Sequence, residues 1–287
     1  MRCIDENDLS YELDEKNQTA TVIWSHQAFG SITIPKAVTY DGKDYIIKSI
    51  HQGSFQRNHG IKSIKFSEDS ELNIIHSGAF SSSSLEYISL PASLQKLEDG
   101  WNSYTSLNFD VAISPQNKNF TLIDNQFIVG PYEGEEKIKS KNLNNNLVFA
   151  RHNINHFKIP SFIIHINSFA FSRCKKLKTI EFSDDSNLKT IDGYAFYQSS
   201  LEYAIFPKNI NSIGQYSFHE CLKLKSIEFL GNDNLSFDFE CFCYSFKLNI
   251  ISCPNANIIH IDSKYFRGCP KVISLYASAG AEIQKNI

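Results

Sequence analysis

A single hexapeptide pattern returns along this chain at a nearly constant interval, and no other feature constrains the fold as tightly. Ile61-Lys-Ser-Ile-Lys-Phe66, Leu85-Glu-Tyr-Ile-Ser-Leu90, Leu177-Lys-Thr-Ile-Glu-Phe182, Leu201-Glu-Tyr-Ala-Ile-Phe206 and Leu224-Lys-Ser-Ile-Glu-Phe229 each carry apolar residues at positions one, four and six. Their first residues lie 24 (61 to 85), 24 (177 to 201) and 23 (201 to 224) apart. Leu248 to Cys253 and Val272 to Ala277 continue the step, and Ile154 to Ile159 begins 23 residues before Leu177. Phe29 to Ile34 reads as the first member, with Phe29 at position one.

A second column keeps step with the first. An aliphatic residue precedes an aromatic by five at Ile50/Phe55, Ile75/Phe80, Ile166/Phe171, Ile191/Phe196, Ile213/Phe218 and Ile261/Phe266. Phe237/Phe242 keeps the spacing, and Leu97/Trp101 shortens it to four. A unit of 22–25 residues with one short strand cannot bury its apolar face alone, whereas stacked copies cover one another. The expected fold is therefore a β-rich repeat solenoid with little regular helix and a parallel sheet on one face. With strands about 4.8 Å apart, roughly ten coils make a rod on the order of 50 Å long.

Composition agrees and narrows the function classes. With 42% hydrophobic residues and a formal charge of −3, the 287-residue chain is neither a disordered polymer nor a basic nucleic-acid binder. The acidic start Asp5-Glu-Asn-Asp8 is unlike a secretory leader, and no run reaches the roughly 18 apolar residues of a membrane span. By sequence alone the expectation is a cytoplasmic protein without a membrane span. Seven cysteines, an odd number in a long chain, do not suggest a disulfide framework.

The repeat resembles the BspA-like class of the leucine-rich repeat family, whose unit runs L-x-x-I-x-(I/L/F)-P and then I-x-x-x-A-F-x-x-C. Leu85 to Pro91, Ile75-His-Ser-Gly-Ala-Phe80, Ile191-Asp-Gly-Tyr-Ala-Phe196 and Ile166 to Cys174 carry the likeness. Tyr11-Glu-Leu13, Ala20 to Ile23 and Tyr40 to Tyr45 resemble the opening segment of such proteins, and Asn117 to Phe149 resembles a recurring irregular unit. The resemblance implies a right-handed superhelix with capping strands over 1–28, repeats over 29–280 and a tail over 281–287. The segment 107–150 is irregular, yet Leu107 to Ile154 spans 47 residues, two repeat lengths, so the coils can run through it. Members of the class occur on bacteria and on protist parasites, notably trichomonads, as surface antigens and adhesins. The resemblance thus implies a cell-surface protein binding host cell or matrix proteins; a soluble intracellular scaffold built of the same coils is the alternative. No cofactor is implied.

Candidate chemistry is sparse. Cys174, Cys221 and Cys269 share one repeat position with Asn58, Ser83, Ser199 and Ser245, as expected of a small hydrogen-bonding group tucked at a turn. Consecutive cysteines of the set fall two coils apart, about 9–10 Å, beyond the roughly 7 Å reach of a disulfide. Cys241-x-Cys243 lacks the second cluster a zinc site needs. His152 and His156 flank a strand residue, so the helical metal spacing is not available to them. Ser67-Glu-Asp-Ser70 and Ser183-Asp-Asp-Ser-Asn187 recur just after the strand; exposed turns favour these residues, and calcium is the other reading. Asn17, Asn119 and Asn234 open glycosylation sequons. No nucleophile–base set or phosphate loop can be assembled, which leaves only the segment 107–150 for a grafted hydrolase.

The outward strand positions are the better candidates. Positions three and five of each hexapeptide alternate with buried ones and face the sheet surface. Tyr and Ile there are favoured by strand propensity, but Tyr is also enriched in binding hot spots. The protein-binding candidates are Tyr87, Thr179, Glu181, Tyr203, Ile205, Glu228, Ile250 and Tyr276. Position two alternates in charge at Lys178, Glu202 and Lys225, which predicts cross-strand pairing.

Overall fold

The computed structural model describes residues 1–131, 145–231, 235–238, 240–255, 258–262, 265–269, 274–277 and 282–286, without the side chains of 258–262, 274–277 and 282–286. The expected loop at 132–146 lies outside the described residues but for its last two positions. So do Asn234 of the third sequon and the side chains of Ile261 and Tyr276. The chain forms two compact units, Met1–Asn125 and Gln126–Ile287, the break falling inside the segment the sequence marks as irregular.

The first unit contains β1 (Arg2–Ile4), β2 (Ser10–Asp14), β3 (Thr19–Ile23), β4 (Gly30–Ile34), β5 (Ala37–Tyr40), β6 (Lys43–Ile50) and β7 (Ile61–Phe66). It continues through β8 (Ile74–Ile75), β9 (Tyr87–Leu90), β10 (Lys96–Leu97), β11 (Asp110–Ile113) and β12 (Thr121–Ile123). Strands β4, β7, β9 and β11 form a parallel sheet in which Ile32, Ile64, Ile88 and Val111 lie in register. A second sheet starts with the antiparallel strands β1–β3. Through β6 it passes into a parallel stack where Ile50, Ile75 and Leu97 align. The β5–β6 hairpin turns on Asp41-Gly42, both at positive φ (49° and 70°), the conformation an Asp-Gly pair tolerates best.

The second unit repeats the plan. It holds β13 (Phe127–Gly130), β14 (Asn146–Ala150), β15 (His156–Ile159), β16 (His165–Ile166), β17 (Thr179–Phe182), β18 (Thr190–Ile191) and β19 (Tyr203–Phe206). Then come β20 (Ser212–Ile213), β21 (Ser226–Phe229), β22 (Ser236–Phe237), β23 (Ile250–Cys253), β24 (Ile258–Asp262), β25 (Ser274–Ala277) and β26 (Glu282–Asn286). The wide sheet runs β15-β17-β19-β21-β23-β25, all parallel. Leu147, Ile166, Ile191, Ile213 and Phe237 align in a narrow parallel sheet of β14, β16, β18, β20 and β22. Both units are β-solenoids of stacked repeats, and among the described residues there is no α-helix.

The two apolar columns become the core. Phe171, Phe196, Phe218, Phe242 and Phe266 stack with successive centroids 4.9, 5.1, 5.5 and 5.6 Å apart and nearly parallel rings. Phe55 stacks on Phe80 at 5.3 Å, and Trp101 meets Phe80 edge-on. The turns around these aromatics also bond along the stack. The amides of Phe55, Phe171, Phe196 and Phe218 donate to the carbonyl just before the next ladder aromatic: Ala79, Ala195, Ser217 and Cys241. Those of Arg57, Arg173, Gln198 and Glu220 donate to the carbonyl just after it.

The expected parallel sheet is present in each unit, and the Ile column adds a second, narrow one. Two sequence expectations need correcting. Phe29 is not a core position: it is 80% exposed, and the register slips beside Gly30 (φ 72°), which lies opposite Ile61 while Ser31 lies opposite Ser63, with Lys62 of β7 as the bulged residue. Leu107 is likewise half-exposed, and the coil enters the first unit's core through Phe109 and Val111, with Phe109 packed edge-on against Trp101.

Candidate recognition surface

The outward face of the second unit's wide sheet carries two columns. Position three reads His156, Thr179, Tyr203, Ser226 and Ile250, each in register with the next. Position five reads Lys158, Glu181, Ile205, Glu228 and Ser252. Tyr203, Ile205 and Ile250 are 45%, 57% and 36% exposed, so apolar surface faces water here although inward partners such as Ala204 and Phe206 are buried. Charged position-two neighbours tie the strands together as the alternation predicts. Lys225 Nζ sits 3.0 Å from a Glu202 carboxylate oxygen, and Lys62 makes the same 3.0 Å pair with Glu86 in the first unit. The Lys225 amine also donates to Tyr203 Oη at 3.0 Å and lies 5.0 Å from that ring's centroid, which holds the ring in place. These bonds hold the Lys225 amine above its usual range and the Glu202 carboxyl below its own.

Thr179, Glu181, Tyr203 and Ile205 come together around one concavity of about 580 Å³. Phe182, Asp184, Pro207, Lys208 and Leu230 are also among its lining residues. It opens where β17 and β19 part: their register stops at Thr179–Tyr203 and Ile180–Ala204, while β15–β17 and β19–β21 run on to Phe182 and Phe229. Phe182 is consequently half-exposed, unlike Phe206 and Phe229 at the same repeat position. Glu228 lies in register with Ile205, and Ile250 lies two strands from Tyr203. Tyr87 is a half-buried residue of the first unit, and for Tyr276 only the backbone, in register with Ser252, is described.

Sequence reasoning missed Asp184, Pro207, Lys208 and Leu230 as partners of this face. A readable signal existed. Phe182 and Ile191 are nine apart, Phe206 and Ile213 only seven (182 to 191, 206 to 213), so adjacent coils turn with unequal lengths of chain. The Ser183–Asn187 tract supplies the longer turn: Ser186 N–H donates to Ser183 O, Leu188 N–H to Ser186 Oγ, and Asn187 Nδ2 reaches back to Ser161 O.

The remaining candidates sort into structural roles. The shared repeat position works as a turn clamp. Cys221 Sγ–H and Ser245 Oγ–H donate to the carbonyls of Phe196 and Phe218, and Cys269 Sγ–H to that of Phe242. Asn58 makes four bonds in the first unit: its Nδ2 donates to two carbonyls and its Oδ1 accepts from two backbone amides. None of the seven cysteines is in a disulfide. Burial raises the thiols of Cys221 and Cys243 to about 12 and those of Cys253 and Cys269 to about 11, with Cys174 and Cys241 also well above the usual thiol range. His156 is exposed and bonds Thr179 Oγ1 at 2.6 Å, so it braces the candidate face. His165 bonds Thr190 Oγ1 at 2.7 Å, and burial, with Lys189 nearby, lowers it to about 4. Burial and the Asp5 carboxylate raise the Cys3 thiol too, but it is the least enclosed. Because thiolate is the reactive form, Ellman's reagent at pH 8 should label the native protein first at Cys3, then at Cys269, and at the other five after unfolding. Rapid labelling of Cys221 or Cys241 in native protein would contradict this packing.

The BspA type leucine rich repeat region matches residues 23–126 and 141–273 in six copies. Among solved structures the chain is similar to a leucine rich cell surface protein of Faecalibacterium prausnitzii. The TM-score is 0.59 at 16% identity, over 97% of this chain and 95% of that one. It is also similar to a leucine-rich repeat protein of Eubacterium ventriosum, with TM-score 0.53 at 16% identity, over 99% of this chain and 94% of the other. At such identity these likenesses concern the fold. No curated protein matches the chain in sequence. Among the described residues no helix is long and apolar enough to cross a membrane.

Proposed function

The chain belongs to the BspA-type leucine-rich repeat family, and on that footing we propose that it is a non-catalytic recognition protein whose wide sheet in the second unit binds a protein partner. The observation that carries this reading is the exposed cluster of Tyr203 and Ile205, flanked by Thr179, Glu181 and Glu228 with Ile250 nearby, on a stack of hydrogen-bonded strands. An aromatic residue and an aliphatic one held rigidly within a polar rim have the anatomy of an interface centre. The finer reading is an adhesin or surface antigen that engages host cell or matrix proteins. The family resemblance supports it, as does the name of the Faecalibacterium prausnitzii neighbour, a cell surface protein.

Purified protein is expected to bind cultured epithelial cells or immobilised extracellular-matrix protein, with Tyr203→Ala and Ile205→Ala each weakening binding about tenfold while melting is unchanged. Tyr203→Phe keeps the ring over Lys225 and should lose little. Binding indifferent to both alanine variants would remove this face from the function. Tyr87→Ala tests the first unit's sheet separately. A soluble scaffold inside the cell is the second reading, favoured by buried cysteines that act as S–H donors and so suit a reducing compartment. Biotinylation of intact cells of the source organism separates the two. Labelled protein supports the adhesin, whereas protein labelled only after lysis supports the scaffold.

A further inference from the structure

The parting of β17 and β19 has a counterpart in the first unit. The pentapeptide Ser-Ser-Leu-Glu-Tyr occurs at 83–87 and again at 199–203, each time followed four residues later by Pro91 or Pro207. In both units the preceding coil carries Phe-Ser-(Glu/Asp)-Asp-Ser, at 66–70 and 182–186. Phe66 and Ile75 are nine apart, Leu90 and Leu97 seven, the same unequal pair of turns (66 to 75, 90 to 97). The β7–β9 register likewise stops after two pairs, Ser63–Tyr87 and Ile64–Ile88, and Phe66, like Phe182, is half-exposed. Each unit therefore holds the same notch backbone. The side chains differ where a ligand would touch: Lys65 stands for Glu181, Ser89 for Ile205 and Ala92 for Lys208.

Resting on the reading of this face as a recognition surface, we propose that the β17/β19 notch docks an extended segment of a partner protein carrying a Lys or Arg beside a large apolar residue. The corresponding notch of the first unit does not accept that segment. The floor and wall of the second-unit notch are apolar: Phe182, Ile205, Pro207 and Leu230, with the Tyr203 ring alongside. Its carboxylates are Glu181 and Asp184, with Glu228 next to Ile205 in register. Among the described residues none of the three makes an ion pair. One amine, Lys208, lines the notch, Lys158 stands beside Glu181 in the sheet, and the Lys225 amine over Tyr203 is paired with Glu202, so carboxylates (Glu181, Asp184, Glu202 and Glu228) still outnumber amines around Ile205. An acidic rim around an apolar seat attracts a cationic group and selects against an acidic one. In the first unit Lys65 reverses the charge at position five, although Glu68 keeps the acidic group at the place of Asp184, and Ser89 removes the apolar seat.

The test is selection of a phage-displayed random dodecapeptide library on the full chain, followed by fluorescence anisotropy with the enriched peptides. Enriched sequences should pair Lys or Arg with Leu, Ile, Phe or Met. Glu181→Lys with Ile205→Ser, which imports the first unit's residues, should weaken them about tenfold or more. Lys65→Glu with Ser89→Ile should add a second equivalent of bound peptide. Enrichment of acidic peptides, affinity unchanged by E181K/I205S, or no enrichment at all overturns the proposal. If cell or matrix binding is lost in Tyr203→Ala but survives E181K/I205S, the face is a recognition surface and the notch is not its specificity element. If peptides bind as described but cells and matrix do not, the notch stands and the adhesin reading falls.

Discussion

Phe196→Ala is expected to destabilise the second unit by about 3–5 kcal/mol, lowering its thermal midpoint on the order of 10 °C. Phe196 is fully buried between Phe171 at 4.9 Å and Phe218 at 5.1 Å, both rings within 4° of parallel, with Phe206 edge-on at 6.3 Å. Removing the ring leaves a cavity walled by stacked neighbours. Those neighbours cannot close in, because the turn amides on either side bond to the next coil at fixed spacing. Phe246, 58% exposed, supplies the control: the same deletion there should cost within about 0.5 kcal/mol. Denaturant titration of both variants distinguishes a ladder from a surface aromatic, and equal losses would mean that the stack contributes nothing special. Since coils contact chiefly their neighbours, unfolding that starts around Phe196 should spread along the stack, and broadened transitions are expected of the variant.

Asn58→Ala is the second large effect, expected at about 2–4 kcal/mol in the first unit. Its Nδ2 donates to Ser25 O at 2.9 Å and Ala28 O at 2.8 Å, while Oδ1 accepts from the amides of Gly60 and Ile61 at 2.8 and 2.9 Å. The side chain is buried, so alanine leaves the Ala28 carbonyl and the Gly60 and Ile61 amides without this partner, while Ser25 O keeps the Ala28 N–H, at roughly 1–3 kcal/mol for each orphaned group that water cannot reach. The same repeat position holds Ser245 and Cys221 in other coils, each giving one donor to the neighbouring coil. Asn58→Ser should accordingly be milder than Asn58→Ala. Hydrogen exchange at Gly60 and Ile61 is the direct measurement: accelerated exchange in the alanine variant is expected, and unchanged protection would refute the clamp.

Much of this was legible in the residues. The period of the hexapeptide predicted which strands pair and in what register, and Tyr203 and Ile205 emerged as outward-facing from alternation alone. Phe29 and Leu107 misled because their spacing fitted the column. A bulge beside Gly30 and an entry through Phe109 shift the true core positions, and a bulge leaves no mark in apolar spacing. The sheet formed by the Ile column was also missed, since two-residue strands are too short to show alternation.

The sequence by itself determined that coils stack, because burial of a repeated apolar stripe has one efficient solution, the neighbour carrying the same stripe. It determined the ladder aromatics and the clamp position for the same reason. Only the tertiary structure decided where the ladder opens, because that depends on the difference in turn length between two adjacent coils. It also decided that Phe169, Tyr194 and Tyr216, none of them glycine, hold φ near +60° two residues before a ladder phenylalanine. A left-handed aromatic costs about 1–2 kcal/mol locally and would not be chosen on propensity. It persists because the turn it shapes aims backbone amides at the carbonyls of the next coil, a partner absent from any single repeat.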